Sequence, residues 1–315
     1  MNKNAVIPLS VIGLGVIILL ALQFGSSAIH IFSMTENAEN ILFNIRIPRI
    51  MLGLAAGLVL ATSGGVLQGM LHNPLAEPYL LGISSGAALG SIAGLLLRKI
   101  YLMPLFGFAG ALLSMLLVWN IAQQQRYVDK TKLILSGIIV NMFFSAIIAL
   151  LMSIFRQDLS QIFSILMGNL GYMFSSSNIY LLWVIILCAV SGTIILNIYA
   201  LRLNVLSLGD YSATSLGVDV YKTRKVLFVL TSFLVGIIVA FVGIIGFVGL
   251  IIPHISRMMV GSNNKLVLPL AGILGAGFLI FCDTIARSIL VIELPVGVIT
   301  ALFGAPFFVY LLKRK

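Results

Sequence analysis

The chain has 315 residues, 60% of them hydrophobic and only 9% charged, where a soluble domain carries roughly 25% charge. That composition excludes a water-soluble enzyme or nucleic-acid-binding module, and unbroken rather than alternating apolar runs exclude an outer-membrane barrel. The net charge of +10 then reads as Lys and Arg gathered in cytoplasmic loops, the positive-inside bias, and the expected class is an all-α polytopic membrane protein.

Crossing the hydrocarbon takes about 20 mostly apolar residues. The stretches that qualify are roughly 5–24, 49–71, 79–97, 101–122, 132–154, 179–200, 226–243, 245–260, 266–285 and 295–312. The first, from Ala5 to Phe24, follows Lys3 and precedes Gly25-Ser26-Ser27-Ala28, a pattern like a cleavable signal. Its apolar run exceeds the usual 7–15 residues or so of a signal, so it is read as an uncleaved first span.

Arg46 to Gly94 is the densest stretch in information. Two arginines, Arg46 and Arg49, bracket Ile47-Pro48 ahead of the second span. They read either as interface anchors that reach to the headgroups or as a cationic patch for an acidic partner. Thr62, Ser63 and Gln68 sit at membrane depth, where unsatisfied polar groups are costly. His72-Asn73-Pro74-Leu75-Ala76-Glu77-Pro78 then breaks the apolar sequence. Each proline removes a backbone donor and disfavours helix at the preceding residue. A tight turn is one reading; two prolines, an Asn and a lone Glu supply more specific machinery than a turn requires. In the third span Gly82, Gly86, Gly90 and Gly94 share one face, as do the pairs Gly53/Gly57 and Gly65/Gly69 in the second, which implies close helix packing.

The fifth span places Gly137, Asn141 and Ser145 on one face, suited to interhelical hydrogen bonds or to a translocation pathway. Segment 201–225 reads as one or two short amphipathic helices. Ser207 and Asp210 are candidate caps, Gly209 and Gly217 candidate ends, and Leu208, Tyr211 and Leu216 an apolar edge for lipid or for a partner's groove. Val226 to Val260 holds no charge before Arg257. As two spans turning near Gly243, Gly246 and Gly249, with the N-terminus inside, it puts Arg46, Arg49, Arg98, Lys99, Arg156 and Arg287 outside and the other thirteen of the 19 Lys and Arg inside. As one span the division is nine inside against ten. The positive-inside rule selects ten spans with both termini cytoplasmic. Asp283 lies four residues before Arg287, so a local pair competes for that arginine.

Catalytic signals are missing. His30, His72 and His254 lack metal-ligand spacing, and there is no H-E-x-x-H, G-x-S-x-G or phosphate-loop motif. Ser63-Gly64-Gly65 superficially matches an ATPase signature but lies mid-span. Cys188 and Cys282, each alone in an apolar run, imply packing and no disulfide framework. Mid-membrane acids are absent apart from Asp283 near a span end, which argues against an ion-coupled carrier.

In order and nearly end to end, the chain resembles the FecCD-type permeases, the membrane subunits of ABC importers for iron-siderophore, heme and cobalamin. The resemblance is carried by RIPR (46–49), SGGVLQ (63–68), NPLAEPYLLGISSGA (73–87), LGDYSATSLGV (208–218), GFVGLIIPHISR (246–257), Asp283 with Arg287, ELPVG (293–297) and GAPFF (304–308). It implies a single transmembrane permease domain over 1–315 with the ten-helix type II importer fold, set in a bacterial cytoplasmic membrane. The partners it implies are a second permease subunit, two cytoplasmic ATPase subunits that hold the ATP and Mg, and an extracytoplasmic binding protein; this chain would bind no cofactor or metal and catalyse no reaction. By the same resemblance, Arg46, Arg49 and Arg287 would dock the binding protein. Segment 205–222, with Ser207, Leu208, Gly209, Asp210, Ala213, Leu216 and Gly217, would couple to the ATPase. Asn73, Leu75 and Thr131 would form the cytoplasmic gate, with Asn141 on the pathway, and 155–178 the outer entrance. An iron(III)-siderophore is the preferred cargo, with heme or cobalamin as alternatives. A secondary transporter or channel working without ATP is the alternative of another class.

Overall fold

A computed structural model describes residues 3–25, 36–124, 127–290 and 292–313. Ser26 to Ala28, His30, Arg126, Arg314 and Lys315 lie outside the described residues. Fourteen α-helices are formed: α1 (Lys3–Gln23), α2 (Glu36–Ile41), α3 (Ile47–Leu71), α4 (Ile83–Leu96), α5 (Met103–Ala122), α6 (Lys130–Ile154), α7 (Leu159–Met167), α8 (Ile179–Ile198), α9 (Ala200–Leu206), α10 (Asp210–Ser215), α11 (Val220–Val242), α12 (Val248–Val260), α13 (Asn264–Ala286) and α14 (Val296–Lys313). Seven helical segments are long and apolar enough to cross a membrane, and α4, α12 and most of α14 are shorter apolar helices. Each expected span thus corresponds to a helix. One departure from all-α is a two-residue antiparallel ladder, Gln123–Gln124 with Tyr127–Val128.

The helix α3 is the hub. It is buried along nearly its whole length and packs against α13, α12, α8 and α11. Glycine makes that possible. A Cβ on Gly57 would stand 2.3 Å from the Gly275 carbonyl oxygen of α13, and one on Gly64 would stand 2.0 Å from that of Gly249 in α12. The glycine face of α4 works the same way on α5, where a Cβ on Gly86 or Gly90 would meet the Gly110 or Phe106 oxygen at 2.5 or 2.1 Å. Backbones in such contact gain dispersion energy that larger side chains would forfeit.

Third-span helix begins later than the expected residue 79. Pro78–Leu81 forms a 3-10 turn and Gly82 is left-handed (φ 75°), so α4 starts only at Ile83. The stretch Val226–Val260 does break into two helices. α11 ends at Val242, Gly243 has φ 72° and Phe247 has φ 68°. Irregular backbone inside a bundle must find partners within the protein. Here Ile244 N–H donates to Ile165 O (3.1 Å), Asn169 N–H to Val242 O (2.7 Å) and Val296 N–H to Gly168 O (3.1 Å). The break is therefore laced to the end of α7 and the residues just beyond it, and these in turn to the start of α14. Cys188 and Cys282 are both free.

The substitution Gly90→Leu is expected to lower stability by about 3 kcal/mol or more through overpacking. Gly13→Leu, whose Cβ points into open space, should change little. Reversible unfolding in mixed detergent micelles measures both.

Candidate functional site

Polar chemistry collects at the two ends of α3. At its N-terminal end, Arg49 is buried and holds Asp283 with two nitrogens (Nη2–Oδ1 2.8 Å; Nε to both carboxylate oxygens 3.1 Å) and Glu293 with the third (2.8 Å). Arg287, also buried, stands 3.4 Å from Asp283 Oδ2 and donates from Nη2 to Ala21 O (2.5 Å). Arg46 donates to Leu22 O (2.6 Å) and Gln23 O (3.1 Å). Two guanidiniums thus cap the C-terminal carbonyls of α1, which the helix itself cannot satisfy. The expected trio of arginines is assembled, and the local Asp283–Arg287 pair forms. Sequence reasoning did not foresee Glu293 as a member, although it opens the ELPVG stretch.

The other end of α3 opens on a cavity of about 770 Å³. Its floor is the 75–80 turn, and its walls are α6, the end of α7, the 244–250 break and α14. Leu75, Glu77, Asn141 and Ser145 line it. Asn141 lines this cavity, and its Oδ1 has no hydrogen-bond partner among the described residues. Gly137, one turn earlier, lies under the Leu81 backbone instead: a Cβ there would be 2.7 Å from Leu81 Cα. The turn is rigid. His72 ends α3 in the left-handed conformation (φ 53°), Asn73 Oδ1 accepts from Leu75 N–H (2.9 Å) and Ala76 N–H donates to Asn73 O (3.1 Å). Glu77 is half-buried in this wall. Burial pushes its carboxyl up to about 7, against the pull of the Phe247 backbone N–H.

Asn73 turns away from the large cavity into a polar pocket of about 240 Å³ with His72, His254 and Arg257. Arg257 donates to Gln68 Oε1 and to Gly65 O (3.1 Å), and Gln68 Nε2 donates to the Gly249 and Leu250 carbonyls (3.2 and 3.1 Å). Gln68 at membrane depth is thereby a clamp between α3 and α12. Thr62 and Ser63 carry buried hydroxyls with no hydrogen-bond partner among the described residues. Thr131 lines neither space; its N–H is capped by Asp129 (2.7 Å) at the exposed start of α6.

Segment 201–225 forms the two short helices expected, α9 and α10. The expected caps are different. Gly209 (φ 100°) precedes α10 with no side-chain cap, and Ser207 Oγ bonds back to Asn204 O (2.5 Å). Asp210 is diverted because the buried guanidinium of Arg224, 2% exposed, needs an anion: Nη2–Oδ1 is 2.5 Å and Nη1–Oδ2 2.8 Å. Burial would raise the Asp210 carboxyl, but the bonds and charge of Arg224, with Lys130, hold it below the usual range. Asp219 is the side chain that caps, receiving Lys222 N–H (2.9 Å) at the start of α11. Ala213 is buried, whereas Leu208, Tyr211 and Leu216 are 63%, 88% and 62% exposed. Gly217 (φ 80°) closes α10.

Residues 12–314 match the model of the FecCD transport family. The chain is 39% identical over 287 residues to a cobalamin import system permease protein of Halobacterium salinarum, covering 90% of this chain and 76% of that one. It is 34% identical over 328 residues to a hemin transport system permease protein of Yersinia pestis, covering 98% and 96%. A solved inward-facing conformation, described as a metal-chelate type ABC transporter, superposes with a TM-score of 0.89 at 31% identity, covering 99% of this chain and all of that one.

Two outcomes follow from the charges. A carboxyl whose pKa is raised by folding contributes stability that is full in acid and lost as pH rises through the folded value, here about 7. Amide exchange of the 72–82 peptide, corrected for intrinsic rate, should therefore speed up between pH 5.5 and 8, and Glu77→Gln should abolish that difference. At the other end, Arg49→Gln strands a buried carboxylate and should cost about 3 kcal/mol. Adding Asp283→Asn should recover part of the loss, a non-additivity readable by thermal unfolding.

Proposed function

The chain belongs to the FecCD transport family, and on that premise we propose that it is the membrane-spanning permease subunit of an ATP-driven importer for a bulky metal chelate. An iron(III)-siderophore is the preferred cargo; heme and cobalamin are the alternatives. The chain binds the membrane and its partners, performs no bond chemistry and holds no cofactor of its own, with ATP and Mg on a separate ATPase.

The observation that carries this reading is the handle at 205–217. Three large apolar side chains, Leu208, Tyr211 and Leu216, stand exposed on a segment bolted down by the buried Arg224 beneath it. A motor needs such a combination: an adhesive outer edge of aromatic and aliphatic anchors and an inner face that cannot slip. Ten spans with both termini cytoplasmic fit the charges. Each of the six ion pairs among the described residues joins groups assigned to the same side by the positive-inside count. That topology puts the handle and the Asn73–Pro78 turn inside, and the arginine cluster and the 155–178 entrance segment outside. Leu75 and Asn141 face the pathway, and Asn73, whose side chain turns away from it, holds Leu75 in place at the inner gate; Thr131 takes no part in the lining. A second permease subunit would cover the apolar face of α6 on which Met142 and Phe143 stand exposed. The outer cluster of three arginines and two acids suits docking of an extracytoplasmic binding protein, whose carboxylates would compete with Glu293 and the α1 carbonyls for Arg46, Arg49 and Arg287.

Introducing Leu208→Asp together with Tyr211→Asp should release the co-purified ATPase and reduce ATP-driven uptake of ferric-siderophore, haemin or cyanocobalamin into proteoliposomes at least about tenfold, as expected for lost anchors at an interface centre. Equal uptake by the purified chain alone, without ATPase or ATP, would establish a secondary transporter instead.

A further inference from the structure

A handle and a gate on one chain do not yet make a machine; something must carry displacement between them. Segment 200–217 is hydrogen-bonded to the start of the exit turn at His72. Its Nε2 lies 2.8 Å from Leu206 O at the end of α9, and its Nδ1 lies 2.9 Å from Lys130 Nζ. An ammonium can only donate, so Nδ1 is the acceptor and Nε2–H donates to Leu206. The same Lys130 Nζ stands 3.3 Å from Asp210 Oδ1. Asp210 in turn is gripped by Arg224, which also donates to Val128 O at 3.4 Å. One lysine at the first position of α6 therefore ties together the handle, the pathway helix and the residue on which the exit turn pivots.

Backbone geometry makes His72 a pivot. It is one of three non-glycine residues with positive φ among those described, a conformation that costs free energy and persists only where surroundings enforce it. The turn beyond it moves as a unit, because Asn73 holds both Leu75 N–H through its side chain and Ala76 N–H through its carbonyl. Displacing the Leu206 carbonyl thus rotates residue 72, and with it Leu75 in the cavity wall.

We propose that His72, through Lys130 and Asp210, is a positioning residue that transmits motion of the ATPase-facing segment to the exit turn. This rests on the permease reading, and the test separates the two. A nitroxide on Leu75→Cys, in a chain carrying Cys188→Ser and complexed with its ATPase in nanodiscs, reports the turn by its spectral line shape without ATP and with ATP plus vanadate. His72→Asn tolerates the left-handed backbone but is too short for both bonds; Lys130→Gln leaves the turn untouched. Each should shrink the nucleotide-induced change about fivefold, the order expected when a charge-assisted hydrogen bond is lost. The double variant should be no worse than either single one, since both cut the same chain. A full response in both variants overturns the relay, as does loss of ATPase binding in both, which would make these residues part of the docking site. No response in the parent complex would overturn the permease reading itself.

Discussion

Hydrocarbon offers no partner to a polar group, and that constraint decides where breaks and charges in this chain can lie. The helix α3 shows the consequence most plainly. Surrounded by other helices, it can carry charge only at its ends, and both ends are used. At one, Arg49 holds two carboxylates contributed by residues more than 230 positions away. At the other, a left-handed His72 swings the chain into the Asn73–Pro78 turn. Between them the glycine contacts with α13 and α12 leave no room for slack, so α3 behaves as a stiff strut joining two polar assemblies.

The same constraint explains the break between α11 and α12. Five residues of non-helical backbone are tolerated because the end of α7 and the residues just beyond it hydrogen-bond to the break, and those residues are bonded in turn to the start of α14. Those are also the elements that wall the cavity. Interrupting the helix and shaping the cavity are one structural act here, with Phe247 held at positive φ where the new helix begins.

Much of this was legible beforehand, and the limits have physical causes. Apolar run length and charge bias located the helices, including the division near Gly243, because both depend on local composition. Helix starts were less legible: Pro78 and a left-handed Gly82 delay α4 by four residues. Asp210 read as a cap, and nothing nearby in sequence announced that Arg224 would be buried and claim it. The arginine cluster was visible as unusual positive charge outside, but its acids lie far along the chain and only folding reveals that they are spent on it. His72 and Lys130, 58 positions apart, each looked ordinary alone.

The capping of α1 bears on how the protein is made. α1 leaves the ribosome well ahead of α13, yet the groups that satisfy its C-terminal carbonyls belong to Arg46 and to Arg287. The second of these is synthesised only as α13 is completed. Until then Ala21 O lacks its guanidinium, and this helix, little buried inside the chain, has its C-terminal end held by Arg46 without Arg287. A helix made early is in this sense fastened late, and closing that clasp joins the N-terminal and C-terminal parts of the bundle.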